Sequence, residues 1–144
     1  MTEREPIEIT NLDRYGSAAL PWSRPHDLLA ASATANTSFF LGTVWPDGRP
    51  HAAAVGALWH DGDLYIVSGP QTRKSRNLAA NPACTISVGL EGIDLILEGQ
   101  ATRITDQPTL EAVLKARGVG ATYHNNGIQP WRVQAGGQVA NVRV

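Results

Sequence analysis

The pattern of apolar and polar positions changes character twice along the chain. Residues 1–22 carry scattered proline, glycine and charge, which predicts an irregular N-terminal arm ending near Pro21-Trp22. Ser23 then offers a helix N-cap, Pro25 suits a first turn, and Leu28, Leu29 and the alanines through Ala35 predict a short, partly buried helix. From Ser38 the pattern becomes that of strands. Ser38 to Val44 is rich in aromatic and β-branched residues, and Trp45 to Arg49 contains the turn signal Asp47-Gly48. Alanine-rich His51 to Leu58 predicts a second strand, His60 to Asp63 another turn, and Leu64 to Ser68 a third strand.

Gly69-Pro70-Gln71 interrupts this meander. Thr72 has the side chain of an N-cap, so Arg73 to Ala80 reads as a short helix. Asn81-Pro82 ends it, because a residue before proline avoids the α region. Ala83 to Leu90 predicts a fourth strand, and Ile93 to Ile104 a long fifth one with Leu95 and Leu97 on one face. Asp106 caps a helix running to about Arg117, with Pro108 in its first turn. Beyond Gly118 the pattern dissolves, until Gln138 to Val144 reads as a last strand. Five or six strands with peripheral helices predict a small closed antiparallel sheet, since closure removes exposed edges. The expected division is an arm over 1–22 and one domain over 23–144.

Composition narrows the function classes. The chain has 144 residues and a formal net charge of -1, so no global field draws it to nucleic acid or an anionic membrane. No apolar run approaches the roughly 20 residues of a membrane span. Met1 to Pro6 lacks the apolar segment of a secretory leader, and the single cysteine, Cys84, fits a reducing compartment. The expected location is cytoplasmic. His26, His51, His60 and His124 are scattered with no closely spaced ligand pair, so no metal site is expected. There is no nucleophile elbow, Walker loop or dinucleotide fingerprint, and no catalytic side chain is assigned.

The segment Ser68 to Leu78 stands apart. Arg73, Lys74 and Arg76 fall where a strand ends, the chain breaks and a helix begins. The open N–H groups of a helix N-terminus favour an anion. Thr72 adds a hydroxyl, Arg73 a planar fork and Lys74 a point charge, and Asn77 lies one turn after Arg73. These are phosphate-binding side chains; the competing interpretation is a solvated basic helix end. His51 begins a strand beside Arg49 and is a candidate to face a cleft, and with Tyr65 it is a candidate proton donor. The four tryptophans sit near turns or element ends, placed for packing or for stacking on a ring.

In these residues the chain resembles the pyridoxamine 5′-phosphate oxidase-like split β-barrel superfamily, which includes the flavin and deazaflavin oxidoreductases of actinobacteria. The resemblance runs through Phe40 to Val44 and Pro46 to His51, through Asp63 to Gly69, through Thr72 to Leu78 with Asn81 to Cys84, and through Glu98 to Ala101. It implies a mainly β fold, a six-stranded antiparallel split β-barrel with short peripheral helices. It also implies a homodimeric enzyme with cofactor between the subunits and a small-molecule substrate. Arg73 and Lys74 match the family's phosphate pair, and Val67 and Ser68 the pair that meets the cofactor where the third strand ends. FMN-using members place an arginine and a lysine where this chain has Ala53 and Leu58, and a glutamine where it has Asp94. That departure favours the deazaflavin F420, with FMN as the alternative cofactor. The implied activity is hydride transfer to a small unsaturated acceptor; the alternatives are an FMN-binding oxidoreductase and a non-catalytic carrier of a flavin, F420 or haem-like ring.

Overall fold

Short turns set the register of the sheet. In the computed structural model, which describes residues 8–11, 21–31, 37–116, 129–134 and 138–142, strand β2 (Phe39–Val44) turns back through Trp45 to Arg49 into β3 (Pro50–Val55). Asp47 accepts from the Arg49 backbone at 3.2 Å and from its Nε at 2.8 Å, closing that turn. Strand β4 (Ala57–His60) turns into β5 (Asp63–Ser68) through Asp61 and Gly62, with φ of 51° and 83°. Two successive positive φ angles match the right-handed twist of a hairpin, and Asp-Gly is the pair that tolerates them.

The rest of the chain supplies helix α1 (Ser23–Ala31), helix α2 (Arg73–Ala80), strands β6 (Ala83–Leu90) and β7 (Ile93–Arg103), and helix α3 (Gln107–Ala116). Strands β1 (Glu8–Asn11), β8 (Gln129–Gln134) and β9 (Gln138–Val142) complete the described elements. The sheet runs β3-β2-β6-β7-β8-β5-β4 and is antiparallel throughout that path. Its two terminal strands, β3 and β4, are joined by Gly56 alone. The sheet therefore curls until its ends meet. Strand β7 spans 11 residues and serves three partners. One edge of β7 pairs with β6; the other pairs first with β9 over Asp94 to Leu97, then with β8 over Gln100 to Arg103.

The fold is the mainly β, curled antiparallel sheet with peripheral helices that the sequence led us to expect. Three features differ from that expectation. The stretch from His51 to Leu58 is two strands, because Gly56 carries the chain from one end of the sheet to the other. Strand β8 lies where no pattern was legible. The stretch expected to be an irregular arm contains β1, which pairs in parallel with β9. Helix α1 ends at Ala31, and the expected continuation to Ala35 falls outside the described residues.

Strand alternation builds the interior. Leu41, Ile66, Ile86, Leu95, Leu97 and Trp131 meet in one cluster, and Leu78 of α2 joins it. A smaller cluster, Leu58, Tyr65, Ile104 and Val113, lies under α3. Cys84 is buried, and burial pushes its thiol up to about 11. Among the described residues no helix is long and apolar enough to cross a membrane. Leu97 is 1% exposed, so Leu97→Ala should lower stability in urea unfolding by about 2–5 kcal/mol.

Asp106 caps α3 as expected, accepting from the Thr109 N–H at 3.0 Å. Hydrogen bonds from Thr109 hold its carboxyl below the ordinary 3.8. A carboxyl depressed in the folded state stabilises the fold above its unfolded pKa, and the contribution disappears as pH falls through the folded one. Asp106→Ala should therefore be less stable than the parent at about pH 7, and the gap should close progressively in melts taken below 3.8.

Candidate functional site

Strand β5 ends at Ser68, and the Thr72 N–H reaches back to the Gly69 carbonyl at 3.1 Å, tightening the turn that leads into α2. Thr72 is the N-cap: its backbone is extended at φ -70°, ψ 154°, and its hydroxyl accepts from the Ser75 N–H at 3.3 Å. The same hydroxyl donates to the Gly69 carbonyl at 2.8 Å. A hydroxyl has one hydrogen, so with Thr72 donating to Gly69, Ser68 is the donor in its 2.8 Å contact with Thr72 Oγ1, in preference to its own longer approach of 3.4 Å to the Gly69 carbonyl. Ser75 in turn donates to Ser68 at 2.6 Å. The result is a one-way relay from Ser75 through Ser68 and Thr72 to Gly69. It fixes the turn from within, and both Ser68 and Ser75 are buried.

This arrangement decides which helix donors are open. The Ser75 N–H is taken by the Thr72 side chain and the Arg76 N–H by the Thr72 carbonyl at 3.1 Å. The N–H groups of Arg73 and Lys74 are left at the helix start, where the helix dipole favours negative charge. The Thr72 hydroxyl, expected from the sequence as a ligand donor, has its hydrogen directed inward to Gly69.

Helix α2 is tied to the sheet by Asn77. Its side chain is 0% exposed, donates to Thr43 Oγ1 on β2 at 3.0 Å, and accepts from Arg73 Nη1 at 3.4 Å. The Arg73 guanidinium also lies over the indole of Trp45, 4.1 Å from the ring centroid. Arg49 lies over the same ring at 4.5 Å, and the His51 ring meets it edge-on at 5.9 Å. Among the described residues, buried His51 Nδ1 has no hydrogen-bond partner. Among the described residues no carboxylate pairs with Arg73 or Lys74. Asp47 is close by in the hairpin but is bonded to Arg49 at 2.8 Å.

The structure thus brings His51, Ser68, Thr72, Arg73 and Asn77 to one end of the barrel, with half-buried Lys74 on the same helical turn. Val67 alternates to the opposite face of β5 from Ser68 and pairs with Pro130. Tyr65, expected as a proton-donor candidate, is buried. Its hydroxyl accepts from Arg132 Nε at 3.2 Å, and Arg132 lies 3.8 Å from Asp63. Trp45, Arg49, Thr43 and Ser75 belong to the site and were not singled out from the sequence as members of it. Ser75 had a local signal, three residues after a capping threonine. The others meet α2 only through the fold.

Comparison with known proteins bears on the family and the fold. A family model described as pyridoxamine 5′-phosphate oxidase matches residues 26–141. The pyridoxine/pyridoxamine 5′-phosphate oxidase of Bacteroides thetaiotaomicron is 28% identical over 88 residues, covering 59% of this chain and 41% of that enzyme. The match therefore spans less than half the length of that relative. A conserved hypothetical protein from Mycobacterium tuberculosis superposes with a TM-score of 0.70 at 18% identity, covering 89% of this chain and 88% of the other. An F420 reductase gives 0.59 at 23% identity, covering 78% of this chain and 93% of its own. A heme storage protein from Vibrio cholerae gives 0.60 at 17%, covering 76% and 88%. At these identities the structural likenesses establish the fold, and the family match across most of the chain places this protein in the pyridoxamine 5′-phosphate oxidase family.

Proposed function

We propose that this chain is an oxidoreductase that holds a flavin-type cofactor by its phosphate at the N-terminus of α2. One observation carries the proposal. Among the described residues the N–H groups of Arg73 and Lys74 are open, and their two cationic side chains have no carboxylate partner. A phosphate there meets two backbone donors and two charges. Each charge-assisted hydrogen bond contributes about 1.5–3 kcal/mol. The unpartnered Nδ1 of half-buried His51 lies at the same end of the barrel and supports a further ligand contact.

FMN is the cofactor we favour, because the family model and the curated relative are both pyridoxamine 5′-phosphate oxidases. A second observation favours F420. Ala53 is neutral, and Leu58 is packed in the apolar cluster under α3, so neither adds a cation. The likeness to an F420 reductase is consistent with that reading. The bound cofactor supplies hydride transfer to a small unsaturated acceptor. The protein's part is to bind the phosphate, orient the ring and exclude water. Binding without turnover is the carrier reading, which the fold shared with a heme storage protein keeps in view.

The proposed homodimer rests on the outer face of the sheet. Phe40 is 51% exposed and pairs with Ala54 of β3, whose outward neighbour Ala52 is also exposed. An exposed aromatic beside exposed alanines suits a second copy of the chain. Phe40→Asp should shift the sedimentation coefficient toward that of the monomer; an unchanged value would remove the homodimer from the proposal.

Fluorescence titration with FMN, F420 and riboflavin tests the cofactor. The parent should bind FMN or F420 with a Kd below about 100 μM, equivalent to about -5.5 kcal/mol, and riboflavin more weakly. Arg73→Ala and Lys74→Ala should each weaken the phosphate-bearing ligand about 10- to 100-fold; Lys74→Ala should leave the melting temperature unchanged, whereas Arg73→Ala should lower it somewhat because it leaves buried Asn77 Oδ1 without its partner. Failure of both cofactors to bind would refute the proposal.

A further inference from the structure

The proposed phosphate site depends on Arg73, yet a long arginine side chain free in solvent is poorly prepared to receive an anion. Ordering it on binding costs conformational entropy. Two contacts order it beforehand. Asn77 Oδ1, at 3.4 Å, is at the long limit of a hydrogen bond. The Trp45 indole is the closer support, with the guanidinium carbon 4.1 Å from the ring centroid, inside the roughly 6 Å reach of a cation–π contact.

Trp45 is itself held firmly. Its N–H donates to the Arg49 carbonyl at 2.8 Å, and its carbonyl accepts from the Gly48 N–H at 2.9 Å. The edge of His51 and the guanidinium of Arg49 also lie against the ring. The hairpin between β2 and β3 therefore presents the indole as a fixed surface.

An aromatic face is chemically suited to this task. A carboxylate holding Arg73 would neutralise it and compete with an incoming phosphate. An indole holds the cation and leaves its charge intact. With the guanidinium carbon over the ring and Nη1 directed to Asn77, the remaining N–H groups are left for an anion.

We propose that Trp45 is a positioning residue for phosphate binding, fixing the Arg73 guanidinium beside the open N–H groups of α2. The inference rests on the proposed function and deepens it. It distinguishes Trp45 from a residue that stacks on the ligand's ring system.

The test compares FMN with riboflavin, which lacks the phosphate, in parent, Trp45→Leu and Trp45→Phe. Trp45→Leu should weaken FMN about tenfold and leave riboflavin unchanged, with Trp45→Phe intermediate. In an Arg73→Ala background, Trp45→Leu should have no further effect on FMN. Should Trp45→Leu not fold, Trp45→Phe in both backgrounds carries the same comparison. Equal losses for FMN and riboflavin would overturn the inference, as would an unaltered FMN affinity or additive effects of the two substitutions. A parent that binds both ligands equally would instead remove the phosphate site itself, and the role of Trp45 with it.

Discussion

The geometry of the site depends on one buried amide. Asn77 has no exposed surface, so each of its polar atoms needs a partner inside the protein. Thr43 Oγ1 supplies one and Arg73 Nη1 the other. The first bond joins α2 to the second strand of the sheet. Moving α2 would leave the Asn77 amide and the buried Thr43 hydroxyl unpaired in the interior, at about 1–3 kcal/mol for each orphaned group. The helix is thus held by a polar contact that has few alternatives, and Leu78 beside it seals the same helix to the apolar core. Apolar packing alone would tolerate a small slide or rotation of α2. The amide does not, because a hydrogen bond weakens steeply with misalignment.

From that anchor the chemistry of the turn follows. The hydroxyl relay among Ser75, Ser68 and Thr72 satisfies the polar groups beneath the helix start. It directs hydrogen inward and leaves open donors only on the outward side. Four cations, Arg49, Arg73, Lys74 and Arg76, are gathered around one helix turn and one hairpin. Their mutual repulsion is offset by Asp47 at Arg49 and by the electron-rich face of Trp45. The exposed ion pair contributes little, about 0–1 kcal/mol. The site consequently keeps an excess of positive charge, which an anion relieves.

Much of this was legible where the determinants are local. The hairpin at Asp61-Gly62, the Thr72 and Asp106 caps and the stop at Asn81-Pro82 each depend on two to four adjacent residues, and the fold places them as read. The family pattern in Thr72 to Leu78 located the candidate site. The direction of the Thr72 hydroxyl was not legible, because it is decided by Gly69 and Ser68 meeting in the turn. The break at Gly56 was hidden because alanine-rich sequence continues on both sides of it. Strand β8 was hidden for another reason. Its inward residues, Trp131 and Val133, are one short alternation, and its polar neighbours read as loop. Trp45 and Arg73 come together only after the barrel forms.

That last point connects the barrel to the site. Because β3 and β4 are separated by Gly56 alone, the β2–β3 hairpin cannot swing freely from the strand that leads into α2. The chain passes from Trp45 through β3, across the barrel closure, along β4 and β5, and returns to the same end at Thr72. Thr43 and His51 are register partners in the hairpin, and both serve the site: Thr43 binds Asn77, and His51 backs Trp45. A slip of one residue in that hairpin would reverse the faces of both side chains at once. Register, the seating of α2 and the orientation of Arg73 are therefore consequences of a single folded arrangement, and a change at Thr43 or in the turn would be felt at the open N–H groups of Arg73 and Lys74 without touching them.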